Sequence, residues 1–369
     1  MRSPERIPVI TPGGSYEILV GPGLMHTVGG TLRRLVPGAR CFLVTDENVA
    51  PLYGDIVETS ILQAGIHLFV ARLTAGEVSK SWGEAGMLME LMAEAGFGRD
   101  SVVVALGGGV VGDVAAFAAS VYMRGVPVVQ VPTSLLAQVD SSIGGKTGVD
   151  LRHGKNLAGT YWQPLAVLSD TTCLASLPAD EWACGFAEVA KSAFLAGDAQ
   201  TAELEASAAD LLAGDDGAVT AAVLMGAGFK ARVVGGDERE TGDREQLNYG
   251  HTLGHALERE LGYGTISHGA GVAEGMRFAA RLSQRLAGAS DAWVARQEAL
   301  LDALDLPRRA FDIAPQKLLA AMHADKKARD GRVRFVLSLA PGESTVMAVD
   351  DDTLLEELVI WYETGRKLA

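Results

Sequence analysis

Cysteine is scarce and scattered: the 369-residue sequence holds three, Cys41, Cys173 and Cys184, in no CxxC or other metal-ligand spacing. That excludes a disulfide framework and a cysteine-built zinc site, and a reducing, cytoplasmic compartment is expected. Positive charge is also in deficit. With 32 Lys and Arg against 46 Asp and Glu the formal net charge is -14, a field that repels polyanions, so neither nucleic acid nor an anionic membrane is an expected partner. The sequence shows no run of about 18 apolar residues to span a bilayer, and its first residues, MRSPERIPVITPGG, lack the apolar centre of a signal peptide. Low-complexity tracts and internal repeats are missing as well. A small anionic substrate remains compatible with the acidic whole, provided that Lys, Arg and His gather in a local pocket.

What is present is a chain with 48% apolar and 21% charged residues, enough to bury a large core, and long enough that two domains are expected. The first half alternates β-branched runs with helical stretches, the pattern of a parallel sheet wrapped by helices. Expected strands are YEILVG (16–21), CFLVTD (41–46), LFVARL (68–73), SVVVALGGG (101–109) and VPVVQVP (126–132). Beyond LPADEW the texture turns to Ala- and Leu-rich amphipathic segments, with RVRFVLSL (332–339) as the exception. The expected fold is therefore an α/β, Rossmann-like nucleotide-binding domain over 1–178 followed by a mainly α-helical domain over 179–369, with AGDDGAV (213–219) as a loop.

Several segments carry chemistry. A buried strand running into Gly107, Gly108 and Gly109, with a helix beginning near Val110, offers backbone N–H groups to a pyrophosphate, and Asp113 lies one turn further on. The spacing is not GxGxxG, and such a turn is also an ordinary tight connection. Asp46 and Asn48 end the CFLVTD strand, and Glu77 and Lys80 lie in TAGEVSKS; all four could complete a dinucleotide pocket or serve plain turn chemistry. The segment QVPTSLLAQVDSSIGGKTGVDLRHGKNLAGTYWQP crowds Asp140, Lys146, Lys155 and Asn156 beside paired glycines, which suits a small charged ligand better than a solvated loop. In the helical half Glu188 and Lys191 are three apart, a spacing most common in surface ion pairs. His251 and His255 share a helix face, with Arg244 and Asn248 one or two turns upstream and His268 beyond. Glu188 with two of these three histidines could bind a zinc-like ion with open positions.

The strings GGGVVGD, YMRG, QVPTSLLAQVDSSIGGKTGV, GKNLAGTY, GFAEVAKSAF, DERETGDREQLNYGHTLGHALE, SHGAGVAEGM and DKKARDGRVRFVL resemble those of the 3-dehydroquinate synthases, in order and spacing, from about Asp46 to about Leu339. The resemblance implies that Glu188, His251 and His268 hold a divalent metal, zinc or cobalt. It assigns NAD to Asp46, Glu77, Lys80, Gly107 to Val110, Asp113, Thr133, Ser134 and Lys155. Substrate would meet Asp140, Lys146, Asn156, Lys191, Lys230, Arg244, Asn248, His255 and Lys327, with Arg124 of YMRG reaching across a homodimer. The implied reaction turns 3-deoxy-D-arabino-heptulosonate 7-phosphate into 3-dehydroquinate by transient oxidation, phosphate elimination, re-reduction, ring opening and aldol closure. Another sugar phosphate cyclase, or a metal-dependent polyol dehydrogenase, is the alternative. The chain departs from the family at Ala270, where a Glu is usual after the His-Gly of the third ligand, and at Thr133 and Ser134, where Thr-Thr is common. The first departure leaves the support of His268 open; the second keeps a hydroxyl.

Overall fold

β-Branched runs bounded by Gly, Pro and Asp form the strands of a computed structural model that describes residues 3–262, 264–324 and 332–367. Its strands are β1 (Glu5–Thr11), β2 (Gly14–Gly21), β3 (Arg40–Asp46), β4 (Leu68–Leu73), β5 (Ser101–Gly107), β6 (Val128–Pro132), β7 (Lys146–Leu151), β8 (Gly154–Tyr161), β9 (Ala166–Asp170), β10 (Val333–Ala340) and β11 (Glu343–Val349). The α-helices of the first half are α1 (Val28–Leu35), α2 (Asp55–Gln63), α3 (Trp82–Glu94) and α4 (Gly109–Val121). Those that follow are α5 (Ala179–Ala196), α6 (Asp198–Leu212), α7 (Asp216–Gly236), α8 (His251–Leu261), α9 (His268–Ala287), α10 (Asp291–Ala303), α11 (Pro315–His323) and α12 (Asp351–Arg366).

Two compact units result, one of Met1–Leu177 with Val219–Arg239, the other of Pro178–Ala218 with Glu240–Ala369. The first break falls beside the expected Pro178. Most of α7, expected in the second domain, belongs instead to the first unit, and AGDDGAV is a loop only up to Asp215, since α7 starts at Asp216. The physical reason lies in what α7 touches. A Cβ on Gly226 would sit 2.8 Å from Val139 Cβ, so only glycine lets the helix lie this close. One turn on, Lys230 Nζ reaches Asp140 Oδ1 at 2.7 Å, and Glu238 beyond the helix accepts from Gly13 N–H, Thr11 and Gln163. By length and composition alone α7 is apolar enough to cross a membrane, contrary to expectation, but half of that stretch is buried in the protein, and these contacts make it a covering helix of the first unit.

The sheet of the first unit runs β1-β2-β9-β6-β5-β3-β4, parallel throughout except for β1 against β2. β5, β6 and β9 are buried along their whole length, as expected of strands covered on both faces. Pro8 sits in β1, at the sheet edge, where its missing N–H costs no ladder bond. β7 and β8 form a separate two-stranded hairpin. The second unit packs α5, α8 and α9 together with the β10-β11 hairpin, around buried Phe194, Tyr249, Phe278 and Trp361.

Candidate active site

From β3 the chain crosses outward to β4 and then returns to β5 on the other side of β3. The connections leaving β3 and β5 therefore diverge, opening the crevice beyond the carboxyl ends of these strands where open α/β sheets bind ligands. Asp46 ends β3 and Gly107 ends β5. Gly108 caps α4, with no side-chain cap and no acidic residue in the first turn, so the positive end of this 13-residue helix is presented by backbone alone. A Cβ on Gly107 would meet Val111 at 2.6 Å, so the turn needs glycine for packing too.

Around this crevice the expected residues are paired with one another. Lys80 Nζ lies 2.6 Å from Asp113 Oδ2, both largely buried, and Lys155 Nζ lies 3.0 Å from Glu77 Oε1. Burial works to lower the Lys80 pKa, but the charges of Asp113 and Glu77 outweigh it and hold the ammonium above its usual range. Thr133 and Ser134 are buried just after β6. Asp46 also does turn work: its Oδ1 accepts from Asn48 N–H and Val49 N–H at 2.9 and 2.8 Å. Lys146 starts β7 after Gly144 and Gly145, both in the left-handed region.

In the second unit the close approach of two helices builds a cluster. A Cβ on Gly275 of α9 would lie 1.7 Å from Gly250 O, and one on Gly254 of α8 would lie 3.1 Å from the Gly271 carbonyl. Glycines at this crossing let the backbones nearly touch, which brings His251 and His268, each the first residue of its helix, beside Glu188 of α5. The three imidazoles group tightly, with ring centroids 5.3 Å apart for His251 and His268, 5.5 Å for His251 and His255, and 6.2 Å for His255 and His268. Nε2 of His251 and of His268 stand 3.4 and 3.6 Å from Glu188 Oε1. One ligand atom from each of Glu188, His251 and His268 lies within 4.8 Å of the others.

The opposite ring nitrogens fix the imidazole orientations. His251 Nδ1 lies 3.1 Å from Tyr249 O; a carbonyl can only accept, so Nδ1 carries a proton, and Nε2 is the nitrogen that faces Glu188. Tyr249 is itself anchored, donating from its hydroxyl to Gln297 Oε1 at 2.6 Å. His268 Nδ1 lies 2.8 Å from Glu258 Oε1. Burial works to lower the pKa of His268, but the hydrogen bonds and charges of Glu188 and Glu258 outweigh it and push it up to about 9. The field that holds a proton there also favours a small cation, and one carboxylate with two imidazole nitrogens is an N/O donor set suited to a zinc-like ion.

The surface ion-pair reading of Glu188 and Lys191 is corrected: the two do pair, but both are about 1% exposed. A buried pair is retained at a desolvation cost that a surface pair does not bear. Arg244 and Asn248 are not on the helix of the histidines. They occupy a short 3-10 segment, Asp243–Asn248, separated from α8 by the left-handed Gly250, with Arg244 fully buried. Asn248 Nδ2 donates to Glu240 Oε1 at 2.9 Å. Arg124 is exposed at the end of α4, with Met123 and Arg124 at φ 52 and 67. Lys327 lies outside the described residues. Glu258 and Glu240 are among the acids that escaped the sequence reading; for Glu258 the available signal was its position seven residues after His251, two turns along the same helix face.

Comparison with known proteins follows the same outline. The family model "3-dehydroquinate synthase N-terminal" matches residues 70–184, and "3-dehydroquinate synthase C-terminal" matches residues 185–328. The 3-dehydroquinate synthase of Rhodospirillum rubrum is 47% identical over 337 residues, 89% of this chain and 88% of that protein. That of Symbiobacterium thermophilum is 45% identical over 334 residues, 90% of this chain and 93% of its own length. Among solved structures, the 2-epi-5-epi-valiolone synthase of Streptomyces hygroscopicus subsp. jinggangensis 5008, determined with NAD+ and Zn2+ bound, superposes with a TM-score of 0.86 at 27% identity, covering 95% of this chain and 97% of that one. With two adjoining family models over most of its length and relatives this close across nearly all of it, the chain belongs to the 3-dehydroquinate synthase family.

Proposed function

We propose that the chain converts 3-deoxy-D-arabino-heptulosonate 7-phosphate into 3-dehydroquinate and phosphate. Beyond family membership, the observation that carries this reading is the convergence of Glu188, His251 and His268 with both imidazoles oriented from behind. These three residues would hold a divalent ion, zinc or cobalt. The Gly107 to Val110 turn, with Asp46, Asn48, Glu77, Lys80, Asp113, Thr133, Ser134 and Lys155, would hold NAD; the neighbouring valiolone synthase carries both groups. When bound, NAD accepts and returns a hydride while the metal polarises the oxygens of the oxidised carbon.

The chain's own residues do the rest. Arg244 offers a planar fork that matches the substrate carboxylate, and Lys230 adds a point charge whose position is set by Asp140 Oδ1 and the Asp140 carbonyl at 2.7 and 2.8 Å. His255 would serve the phosphate, and Asp140, Lys146, Asn156, Lys191, Asn248 and Lys327 would meet the rest of the substrate. These cations supply the local field that the acidic chain otherwise lacks.

We place the enzyme in the cytoplasm, in keeping with three buried thiols, with no nucleic-acid or membrane partner. A homodimer is favoured by apolar exposure on α3, α4 and the turn after it: Trp82 is 59% exposed beside Phe117, and Val121 at the end of α4 and Met123 just beyond it are 43% exposed. Arg124 follows directly in a backbone conformation that costs energy unless something holds it. The test is phosphate release from the seven-carbon acid, which should require both NAD and metal and proceed for many turnovers without accumulating NADH. Stoichiometric NADH from a simple polyol, with no phosphate released from the acid, overturns the proposal in favour of a dehydrogenase.

A further inference from the structure

We infer that Asp150 is a positioning residue that braces the strand bulge presenting Lys155 and Asn156 and ties it to the Glu77–Lys80 loop. The inference rests on the proposed function, since Lys155 and Asn156 matter only if NAD and the sugar acid bind beside them.

The β7-β8 hairpin is regular from Lys146↔Tyr161 to Val149↔Ala158 and resumes at Leu151↔Gly154. Between those pairs Asp150 alone faces residues 155, 156 and 157, so β8 carries two extra residues and the ladder is broken there. Bulges of this kind re-aim side chains, and here the re-aimed residues include the two that the family motif GKN makes functional. Asn156 takes φ 55, a left-handed conformation that Asn tolerates better than most side chains but that still needs holding.

Asp150 supplies the hold. Its Oδ1 accepts from Asn156 N–H at 2.7 Å, replacing the strand bond that the bulge removes. On its other side its own N–H donates to the Lys80 carbonyl at 2.8 Å, and Ser81 and Asp150 form an isolated parallel bridge. One residue thus joins both segments, and the Lys155 to Glu77 and Lys80 to Asp113 ion pairs close the ring around it. Burial raises its carboxyl pKa, with the Asn156 N–H and the two lysines acting against that rise, as fits a carboxylate kept partly from water for a structural contact.

The experiment compares full-length wild type, Asp150→Ala and Asp150→Asn by calorimetric titration with NAD+ and by steady-state kinetics. Losing the brace lets the bulge sample other conformations, so Asp150→Ala should bind NAD+ about 10-fold more weakly and raise the substrate KM by a similar factor, with kcat within about twofold. A carboxamide oxygen still accepts the Asn156 N–H, so Asp150→Asn should restore both constants to within about threefold. Unchanged NAD+ affinity in a folded Asp150→Ala, or equal impairment in Asp150→Asn, overturns the inference. If wild type itself fails to bind NAD+, it is the functional reading that falls. Should Asp150→Ala not fold, hydrogen exchange of wild type decides: the Asn156 amide must exchange slowly, and exchange at the rate of an unprotected loop amide overturns the brace.

Discussion

Replacing Glu258 by Ala should weaken metal binding by roughly 10- to 100-fold, the usual effect of losing the carboxylate behind a ligating histidine. The figure can be reached from the contact itself. The Glu258 side chain is 5% exposed and its Oε1 lies 2.8 Å from His268 Nδ1, a part-buried hydrogen bond to a carboxylate. Such bonds contribute about 1.5 to 3 kcal/mol, which is roughly 13- to 160-fold in an equilibrium constant. Without the carboxylate, the His268 proton is free to move to Nε2, the atom facing Glu188, and the tautomer that can ligate becomes the minor one. Glu258→Gln keeps an acceptor oxygen without the charge and should lose only about 3- to 10-fold. The assay is competition for zinc between the purified variants and a chromophoric chelator at neutral pH, with the visible spectrum of the cobalt form reporting the geometry of the site. Zinc affinities of both variants within about twofold of wild type, with unchanged cobalt spectra, would refute the reasoning, because His268 would then hold its orientation without Glu258.

Three further outcomes are expected. His251→Ala should lose bound metal, whereas His255→Ala should retain it and lose turnover; metal analysis of the two dialysed proteins distinguishes the roles. Arg244→Lys keeps the charge but not the fork, and should lower kcat/KM for the acid substrate by roughly 30- to 1,000-fold, on the order of 2 to 4 kcal/mol; full activity would remove Arg244 from carboxylate recognition. Gly275→Ala places a methyl 1.7 Å from a backbone carbonyl, so α8 and α9 must separate. A loss of about 1 to 3 kcal/mol in denaturant unfolding is expected together with weaker zinc binding, and a variant with wild-type stability and metal content would show that the helices need not touch.

The strands that could be read directly were those with a core on both faces, such as CFLVTD and SVVVALG, whose unbroken apolar runs leave little ambiguity. β1 was hidden by Pro8, which is tolerable only because the strand lies at an edge. β7 and β8 were hidden by their polarity: apart from Val149, which packs into the core, most residues from Lys146 to Tyr161 are polar or glycine, so period-2 alternation is weak. β9, AVLSD, is five residues long, too short for a period to show. For the candidate site, the residue types were legible but the proximity of Glu188 to the histidines was not, because Glu188 and His251 are 63 positions apart and the close approaches are encoded in glycines, Gly250, Gly254, Gly271 and Gly275 between α8 and α9 and Gly269 between α9 and α5, which carry no side chain to signal them. Glu258 and Asp150 were missed for a related reason. Each acts on another residue's backbone or ring from behind, and that relation exists only in three dimensions.

The membership of α7 in the first unit bears on the order in which this chain matures as it is synthesised. The strands of the first unit, β1 to β9, are all made by Asp170, yet the helix that covers Val139 and pairs Lys230 with Asp140 is not complete until Gly236, and the Glu238 clasp to Gly13 and Gln163 comes two residues later still. A nascent or truncated chain ending near residue 178 therefore exposes an apolar seam at Val139 and leaves Asp140 without its lysine. Neither unit is a contiguous stretch of the polypeptide. The gene cannot be divided at one point into two self-sufficient halves, and a split that separates the units has to cut at three places, after Leu177 and on either side of the segment from Val219 to Arg239.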